Sequence, residues 1–163
     1  MTIEKILEAN QEYSRTFNRG SLKMPPAKKL AVVACMDARL TVEDILGLET
    51  GDAHIIRNAG GVVTEDEIRS LIISRELLGT QEIIVINHTD CGMLTFTDEE
   101  LRGKLKHKYS ADADGVKFHS FKDLKKNVIE QVEKIKASPF IGPKVPVYGF
   151  IYHVESGQLE SVL

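Results

Sequence analysis

Four short segments of the chain have the composition of β-strands. The first, Lys29 to Cys35, is an apolar run that ends in a polar cluster. The others lie at 53–57, 82–87 and 147–154, and four consecutive Ile or Val residues mark the third segment. Short apolar runs of this kind are typical of interior strands in a parallel sheet. The pattern therefore predicts a sheet with four main strands.

Helical patterns alternate with these strands. Apolar residues at steps of three and four predict an amphipathic helix over about 2–17, and a linker with Gly20 and Pro25-Pro26 follows it. Residues 107–119 show no periodicity and are expected to form an exposed loop. Further helices are predicted from capping signals and periodicity at 41–48, at 64–78, as a short helix after Thr97, and as a long helix from a Ser120 cap to Pro139.

This alternation predicts an α/β fold with a doubly wound, mainly parallel sheet flanked by helices. We expect the strand order 2-1-3-4, with a short antiparallel edge strand after a turn at 155–158. The 163 residues are expected to form a single domain, 1–163, in which 1–24 are an N-terminal helical arm and linker. That arm either packs on a partner subunit or folds back on its own domain.

Composition narrows the classes of function. A net charge of -3 without a basic stripe gives no reason to expect nucleic-acid binding. No window approaches the roughly 20 apolar residues that span a bilayer, and charges near the start argue against a signal peptide, so no membrane and a cytoplasmic location are expected. The two cysteines are too few for a disulfide scaffold. They are therefore buried apolar residues, catalytic thiols or metal ligands.

Both cysteines lie where the predicted topology brings chain segments together. Cys35 ends the first strand, while His88 and Cys91 follow the third, which is its neighbour in the predicted sheet. Two thiolates and an imidazole favour zinc, and three protein ligands with one open position are the pattern of a catalytic zinc site. The alternative is that both cysteines are core residues and His88 is a loop histidine.

Asp37 and Arg39 lie two residues apart just beyond the first strand, so that carboxylate and guanidinium can pair. One interpretation is a surface ion pair worth little energy. Another is that Asp37, oriented by Arg39, accepts a hydrogen bond from a zinc-bound water. A carboxylate can also serve as the fourth zinc ligand, which would close the site.

Three motif segments follow one another along the chain: Ala34-Cys35-Met36-Asp37-Ala38-Arg39, Arg57-Asn58-Ala59-Gly60 and His88-Thr89-Asp90-Cys91-Gly92-Met93. By the order and spacing of these segments the chain resembles the β-class carbonic anhydrases, in particular their small bacterial and archaeal branch, over nearly its whole length.

The resemblance implies reversible hydration of carbon dioxide to bicarbonate and a proton, with one Zn²⁺ per subunit on Cys35, His88 and Cys91. It also implies that Asp37 and Arg39 are a catalytic dyad orienting a zinc-bound hydroxide, and that Asp37 ligates zinc only in a closed state. The implied assembly is a homodimer, or a tetramer of paired dimers, in which the N-terminal helix embraces the partner.

Substrate contacts are less well marked in the sequence. Backbone donors near Gly60 and Gly92 are expected to bind the developing bicarbonate, since glycine permits close approach. Apolar contacts to carbon dioxide are expected from residues that lie near these motifs, namely Val62, Val63 and Leu94. Candidate proton shuttles are His54 and His153, for which a structural role is the alternative.

Two other functions compete with this interpretation. The same site could hydrolyse carbon disulfide or carbonyl sulfide, since access to the pocket rather than the ligands decides between these substrates. The fold also suits a non-catalytic zinc-binding or nucleotide-binding module. However, no G-x-G-x-x-G pattern or Walker lysine follows the first strand.

Overall fold

The computed structural model describes residues 2–163 and contains a five-stranded sheet. The strands are β1 (Leu30–Cys35), β2 (Ala53–Asn58), β3 (Glu82–His88), β4 (Val147–Tyr152) and β5 (Leu159–Ser161). Their order is β2-β1-β3-β4-β5, with β1 to β4 mutually parallel and β5 antiparallel to β4. The predicted doubly wound order, including the short antiparallel edge strand, is therefore confirmed.

Within residues 2–163, five α-helices accompany the sheet: α1 (Ile3–Arg15), α2 (Val42–Leu46), α3 (Glu65–Glu76), α4 (Asp98–Tyr109) and α5 (Leu124–Lys136). Both predicted capping boxes are present, at Thr64 with Glu67 and at Thr97 with Glu100. Each box satisfies N–H groups that a helix start otherwise leaves unpaired.

Two predictions about the segment after β3 were wrong. Helix α4 continues to Tyr109, into the stretch that we expected to be a loop. Helix α5 is capped by Asp123, whose carboxylate accepts from the N–H of Lys126, and not by Ser120. The hydroxyl of Ser120 instead donates to Asp98 at the start of α4, so it is not available to cap a helix.

Successive strand residues point to opposite faces of the sheet, and both faces are covered. On one face Ala31, Val33 and Val85 pack with apolar residues of α3 and α5. On the other face Val32 and Ala34 pack with α2 and with apolar residues near the chain end. β1 and most of β3 are buried for this reason, whereas β2 has no fully buried residue.

The N-terminal arm stands apart from this core. No residue of α1 is buried, and all of residues 2–25 are exposed. The linker contacts the sheet domain, because Arg19 donates a hydrogen bond to the hydroxyl of Thr50. Helix α1 is therefore not buried against its own domain, and packing of the arm on a partner subunit stays a prediction. No helix within residues 2–163 has the length and apolar character needed to cross a membrane.

Candidate metal centre

Three buried side chains meet at the carboxyl ends of β1 and β3. Cys35 is the last residue of β1, His88 is the last residue of β3, and Cys91 lies one tight turn beyond. Their sulfur and ring nitrogen atoms all lie within 4.8 Å of one another. Their exposed fractions are 4%, 0% and 3%. The predicted convergence of the two strand ends is therefore observed.

The hydrogen bonds of His88 leave one ring nitrogen free. Its Nδ1 lies 2.7 Å from the carbonyl oxygen of Thr89. A carbonyl can only accept, so Nδ1 carries the proton and Nε2 presents its lone pair. Nε2 is fully buried and has no hydrogen-bond partner. A buried orphan nitrogen of this kind fits a metal ligand, whose other nitrogen is usually held by just such a carbonyl.

The two sulfurs share one negative charge. A hydrogen bond from the Cys91 thiol lowers the pKa of Cys35 to about 4, against the effect of burial. The same hydrogen bond, together with burial, raises the pKa of Cys91. A metal cation can replace the shared proton and stabilise both thiolates. Because two thiolates and a neutral imidazole suit tetrahedral zinc, the donor set fits that ion.

A carboxylate held by a guanidinium lies beside this cluster. Arg39 donates through Nε to Asp37 Oδ1 at 2.9 Å and through Nη2 to Oδ2 at 2.8 Å. Asp37 Oδ2 lies 3.8 Å from Nε2 of His88. Hydrogen bonds from the side chain and backbone of Arg39 hold the pKa of Asp37 well below its usual range. Asp37 is therefore an ionised acceptor near neutral pH.

Two further residues fix this dyad, and sequence reasoning missed both. The carboxylate of Asp90 accepts from Nη1 of Arg39 at 2.7 Å, so Arg39 bridges the turns that follow β1 and β3. Arg57 donates to the carbonyl oxygens of Cys35 and Asp37, at 3.0 and 2.6 Å. Both residues lie within the three sequence segments that carry the family resemblance, and this position was the signal that could have identified them.

The two glycines predicted to bind substrate have different surroundings. Gly60 has a φ of +85°, and an added Cβ would lie 2.9 Å from Met93 Cγ. Its N–H donates to Cys35 Sγ at 3.3 Å, so this donor serves the sulfur. Gly92 begins a short 3₁₀ turn, where the first N–H groups have no partner within the turn. An added Cβ at Gly92 would meet open space.

The predicted apolar contacts belong to different hydrophobic clusters. Leu94 packs with Cys35, Cys91 and Met93. Val63 instead belongs to the cluster beneath α3 and α5, and its N–H donates to Gln131. Val62 is buried beside the Gly60 turn.

Neither candidate shuttle histidine faces the cluster. His54 is paired with Ala31, four residues before Cys35, so it lies roughly 13 Å along the strand direction from the site. Its Nδ1 contacts the hydroxyl of Ser74 at 2.6 Å. His153 follows β4, and its Nε2 lies 3.0 Å from a carboxylate oxygen of Glu160. Both histidines thus have structural partners of their own.

Comparisons with known proteins agree with this geometry. The family model described as carbonic anhydrase matches residues 30–159. β-Carbonic anhydrase 1 of Mycobacterium tuberculosis is 44% identical over 99% of both chains. A carbonic anhydrase crystal structure from Streptococcus mutans has a TM-score of 0.95 and 43% identity, covering 100% of this chain and 99% of that one. A carbon disulfide hydrolase of Acidithiobacillus thiooxidans is 34% identical over 98% of this chain and 90% of its own. The chain therefore belongs to the β-carbonic anhydrase family.

Proposed function

We propose that this protein catalyses the zinc-dependent, reversible hydration of carbon dioxide to bicarbonate and a proton. The observation that carries the proposal is the buried cluster of Cys35, His88 and Cys91, in which Nε2 of His88 lacks a partner. Its position beside a guanidinium-held carboxylate suits turnover better than purely structural zinc. Membership of the carbonic anhydrase family supports the same activity.

In this proposal Cys35, His88 and Cys91 would hold one zinc ion per subunit. Zinc, when bound there, supplies Lewis acidity that lowers the pKa of water toward neutrality. The protein contributes a donor set that is shielded from bulk solvent, because all three side chains are buried. The carbonyl of Thr89 keeps the His88 ring in the required tautomer and orientation.

Asp37 acts on the attacking water. Its two oxygens are held by Arg39, so that the carboxylate accepts a hydrogen bond from this water and turns an oxygen lone pair toward the carbon of the substrate. Loss of one proton to solvent gives this oxygen the negative charge of hydroxide. The oxygen then forms a new bond to the carbon of carbon dioxide, one carbon–oxygen π bond breaks, and its electron pair becomes the negative charge of bicarbonate. In a closed state Asp37 would leave Arg39 and become a zinc ligand; the ion pair between Asp37 and Arg39 supports the open arrangement.

Gly92 is the proposed backbone contact for bicarbonate, because its N–H begins a 3₁₀ turn beside Cys91 and has space around it. Gly60 contributes on the substrate side through the close approach of its backbone, while its N–H remains on Cys35. Leu94, with Phe96 and Phe121, supplies apolar surface next to the cysteines. These contacts suit a small, uncharged substrate.

A second candidate activity is hydrolysis of carbon disulfide or carbonyl sulfide at the same site. The 34% identity to carbon disulfide hydrolases favours it, whereas the higher identity to a carbonic anhydrase favours carbon dioxide. Paired assays of the same preparation on carbon dioxide and carbon disulfide distinguish the two. Faster turnover of carbon disulfide would replace our main proposal with this one.

We also propose that the protein is a homodimer, from which tetramers form by pairing. The exposed apolar residues of α1 support this, because a monomer leaves them in water. A cytoplasmic location is proposed as well, since Cys35 and Cys91 are unpaired thiols that a reducing compartment preserves.

Metal content and activity together test the main proposal. Purified protein should contain one zinc per chain and hydrate carbon dioxide in a stopped-flow assay. His88→Ala should lose zinc and activity, because one of three ligands is removed. His54→Ala is the matched control, since His54 lies at the opposite end of the sheet. Zinc retained at one per chain in His88→Ala would contradict the ligand assignment.

A further inference from the structure

A continuous chain of buried amide side chains links α5 to the turn that contacts Cys35. Gln131 Nε2 donates to Asn127 Oδ1 at 2.7 Å, and Asn127 Nδ2 donates to Asn87 Oδ1 at 2.7 Å. Asn87 Nδ2 then donates to the carbonyl oxygen of Gly60 at 2.9 Å. The amides all point in the same direction, with their donor ends toward the metal centre.

Burying these three amide side chains costs free energy unless each of them has hydrogen-bond partners. The exposed fractions of Asn87, Asn127 and Gln131 are 1%, 5% and 1%. Burying an amide without partners costs about 1–3 kcal/mol in proteins. Here Gln131 Oε1 accepts from the N–H of Val63 and from Lys134 Nζ, so the outer end is satisfied too. Such fully paired networks fix one arrangement of their members.

The inner end of the chain fixes the Gly60 turn on Cys35. Asn87 Nδ2 also donates to the carbonyl oxygen of Gly61, at 3.3 Å. The backbone of Gly61 packs so closely that an added Cβ would lie 3.0 Å from the backbone nitrogen of Cys35. The N–H of Gly60 points at Cys35 Sγ, 3.3 Å away. A displacement of the Asn87 amide would therefore move the donor that contacts the sulfur.

We propose that Asn127 and Gln131 are positioning residues for the metal centre, acting through Asn87 to keep the Gly60 N–H on the Cys35 sulfur. The inference rests on the proposed function, because it assigns that sulfur to the metal. An N–H that binds a thiolate withdraws electron density from it and fixes its direction, and both change the bond to a cation. Partners of this kind typically alter metal affinity about 10–100-fold when removed.

The test uses the full-length protein loaded with Co²⁺ in place of zinc, because bound thiolates then give a sulfur-to-cobalt charge-transfer band in the near ultraviolet. Asn127→Leu removes the central link of the chain. Gln131→Glu is the second variant; it keeps the shape and the acceptor for Val63 and Lys134 but cannot donate to Asn127. Ser74→Ala is the matched control, a buried hydroxyl that contacts His54 and Thr80 instead.

Both variants should shift the charge-transfer band and release metal to a chelator about 10-fold faster than wild type, while circular dichroism stays native. Ser74→Ala should leave the band and the release rate unchanged. Should Asn127→Leu not fold, Gln131→Glu decides the question alone. A folded variant with the wild-type band and release rate overturns the inference and leaves the proposed function intact. A wild-type protein without a thiolate band overturns the proposed function itself.

Discussion

At the scale of single residues, the candidate centre depends on how hydrogen bonds are distributed among its ionisable groups. Arg39 occupies both oxygens of Asp37, and the carbonyl of Thr89 occupies Nδ1 of His88. The atoms left to bind a cation are Nε2 of His88, which has no hydrogen-bond partner among the described residues, and the two sulfurs of Cys35 and Cys91. Those are the atoms that a soft or borderline cation binds. If the Asp37–Arg39 ion pair were purely structural, it would not explain why the buried Nε2 of His88 has no hydrogen-bond partner.

Asp37→Asn should keep zinc at one per chain and lower turnover of carbon dioxide about 100-fold or more. The amide has one oxygen instead of two and places a donor against Arg39, so the acceptor for the attacking water is misdirected. Stopped-flow hydration and metal analysis on the same sample measure both effects.

Asp66→Asn is a suitable control for that variant, because Asp66 pairs with Arg69 on the exposed surface of α3. Its turnover should equal that of wild type. Near-normal turnover in Asp37→Asn would remove Asp37 from the mechanism, whatever its effect on stability.

At the scale of elements, two strand ends and one glycine turn position the site. β1 and β3 are neighbours in the sheet, so their carboxyl ends deliver Cys35 and His88 to one place. The Gly60–Gly61 turn fills the space beside them, with φ angles of +85° and +60°. An added Cβ at Gly61 would collide with β1 and β3, and one at Gly60 would lie 2.9 Å from Met93 Cγ, so neither position has room for a side chain.

Gly61→Ala and Gly103→Ala should change stability in opposite directions. At Gly61 a Cβ would lie 2.9 Å from the backbone oxygen of Ile86, and φ is left-handed, so a loss of about 3 kcal/mol is expected. Gly103 lies in α4, with nothing within 4 Å of an added Cβ, so a gain of about 0.5–1 kcal/mol is expected. Urea unfolding measures both, and equal effects would contradict the packing argument.

Asp98 joins the start of α4 to the segment before α5, and this makes stability depend on pH. Partial burial opposes its charge, yet hydrogen bonds from Ser120 and from the N–H groups of Phe118 and His119 lower the pKa of Asp98 from 3.8 to about 2. The charged form therefore contributes stability that is fully present above about pH 4. That contribution is lost as the pH falls through about 2.

Asp98→Asn should accordingly lower the free energy of unfolding by about 2 kcal/mol at pH 7, because the amide has one acceptor oxygen fewer and no charge. The difference from wild type should stay constant above pH 5 and shrink below pH 4. Denaturant titrations of both proteins across pH 3–7 provide the measurement. A difference that grows in acid would show that Asp98 does not act as the charged acceptor.

Local sequence signals predicted the strands and helices of this fold, but they did not predict its long-range side-chain contacts. Apolar runs and capping boxes located the sheet and the starts of α3 and α4, because both signals act within a few residues. Ser120 failed as a cap since its hydroxyl binds Asp98, 22 residues away. The pairing of Asn87 with Asn127 spans 40 residues, and no periodicity encodes it. Sequence reasoning therefore found the ligands but missed the amide chain behind them.

At the scale of the whole molecule, the chain has a well-packed sheet domain and an arm that contacts little of it. Helix α1 exposes Ile3 by 62%, Ile6 by 46% and Leu7 by 58%, with Tyr13 and Phe17 about half exposed. A 13-residue helix without a packing partner is only marginally stable in water. Contact with a second copy would provide the missing apolar surface, and the folding of α1 is then linked to assembly.

Replacing Ile6 and Leu7 together by lysine should therefore convert the protein to a monomer. Two charges on the apolar side of α1 cannot be buried against a partner without a large penalty. In analytical ultracentrifugation, wild type should sediment as a dimer or larger, whereas the double variant should approach the 18.2 kDa of one chain. Leu77→Lys is the control, because Leu77 is 76% exposed at the C-terminal end of α3, on a different helix from the arm, and should leave the mass unchanged. A double variant with the wild-type mass would exclude α1 from the interface, and a monomeric wild type would exclude the assembly itself.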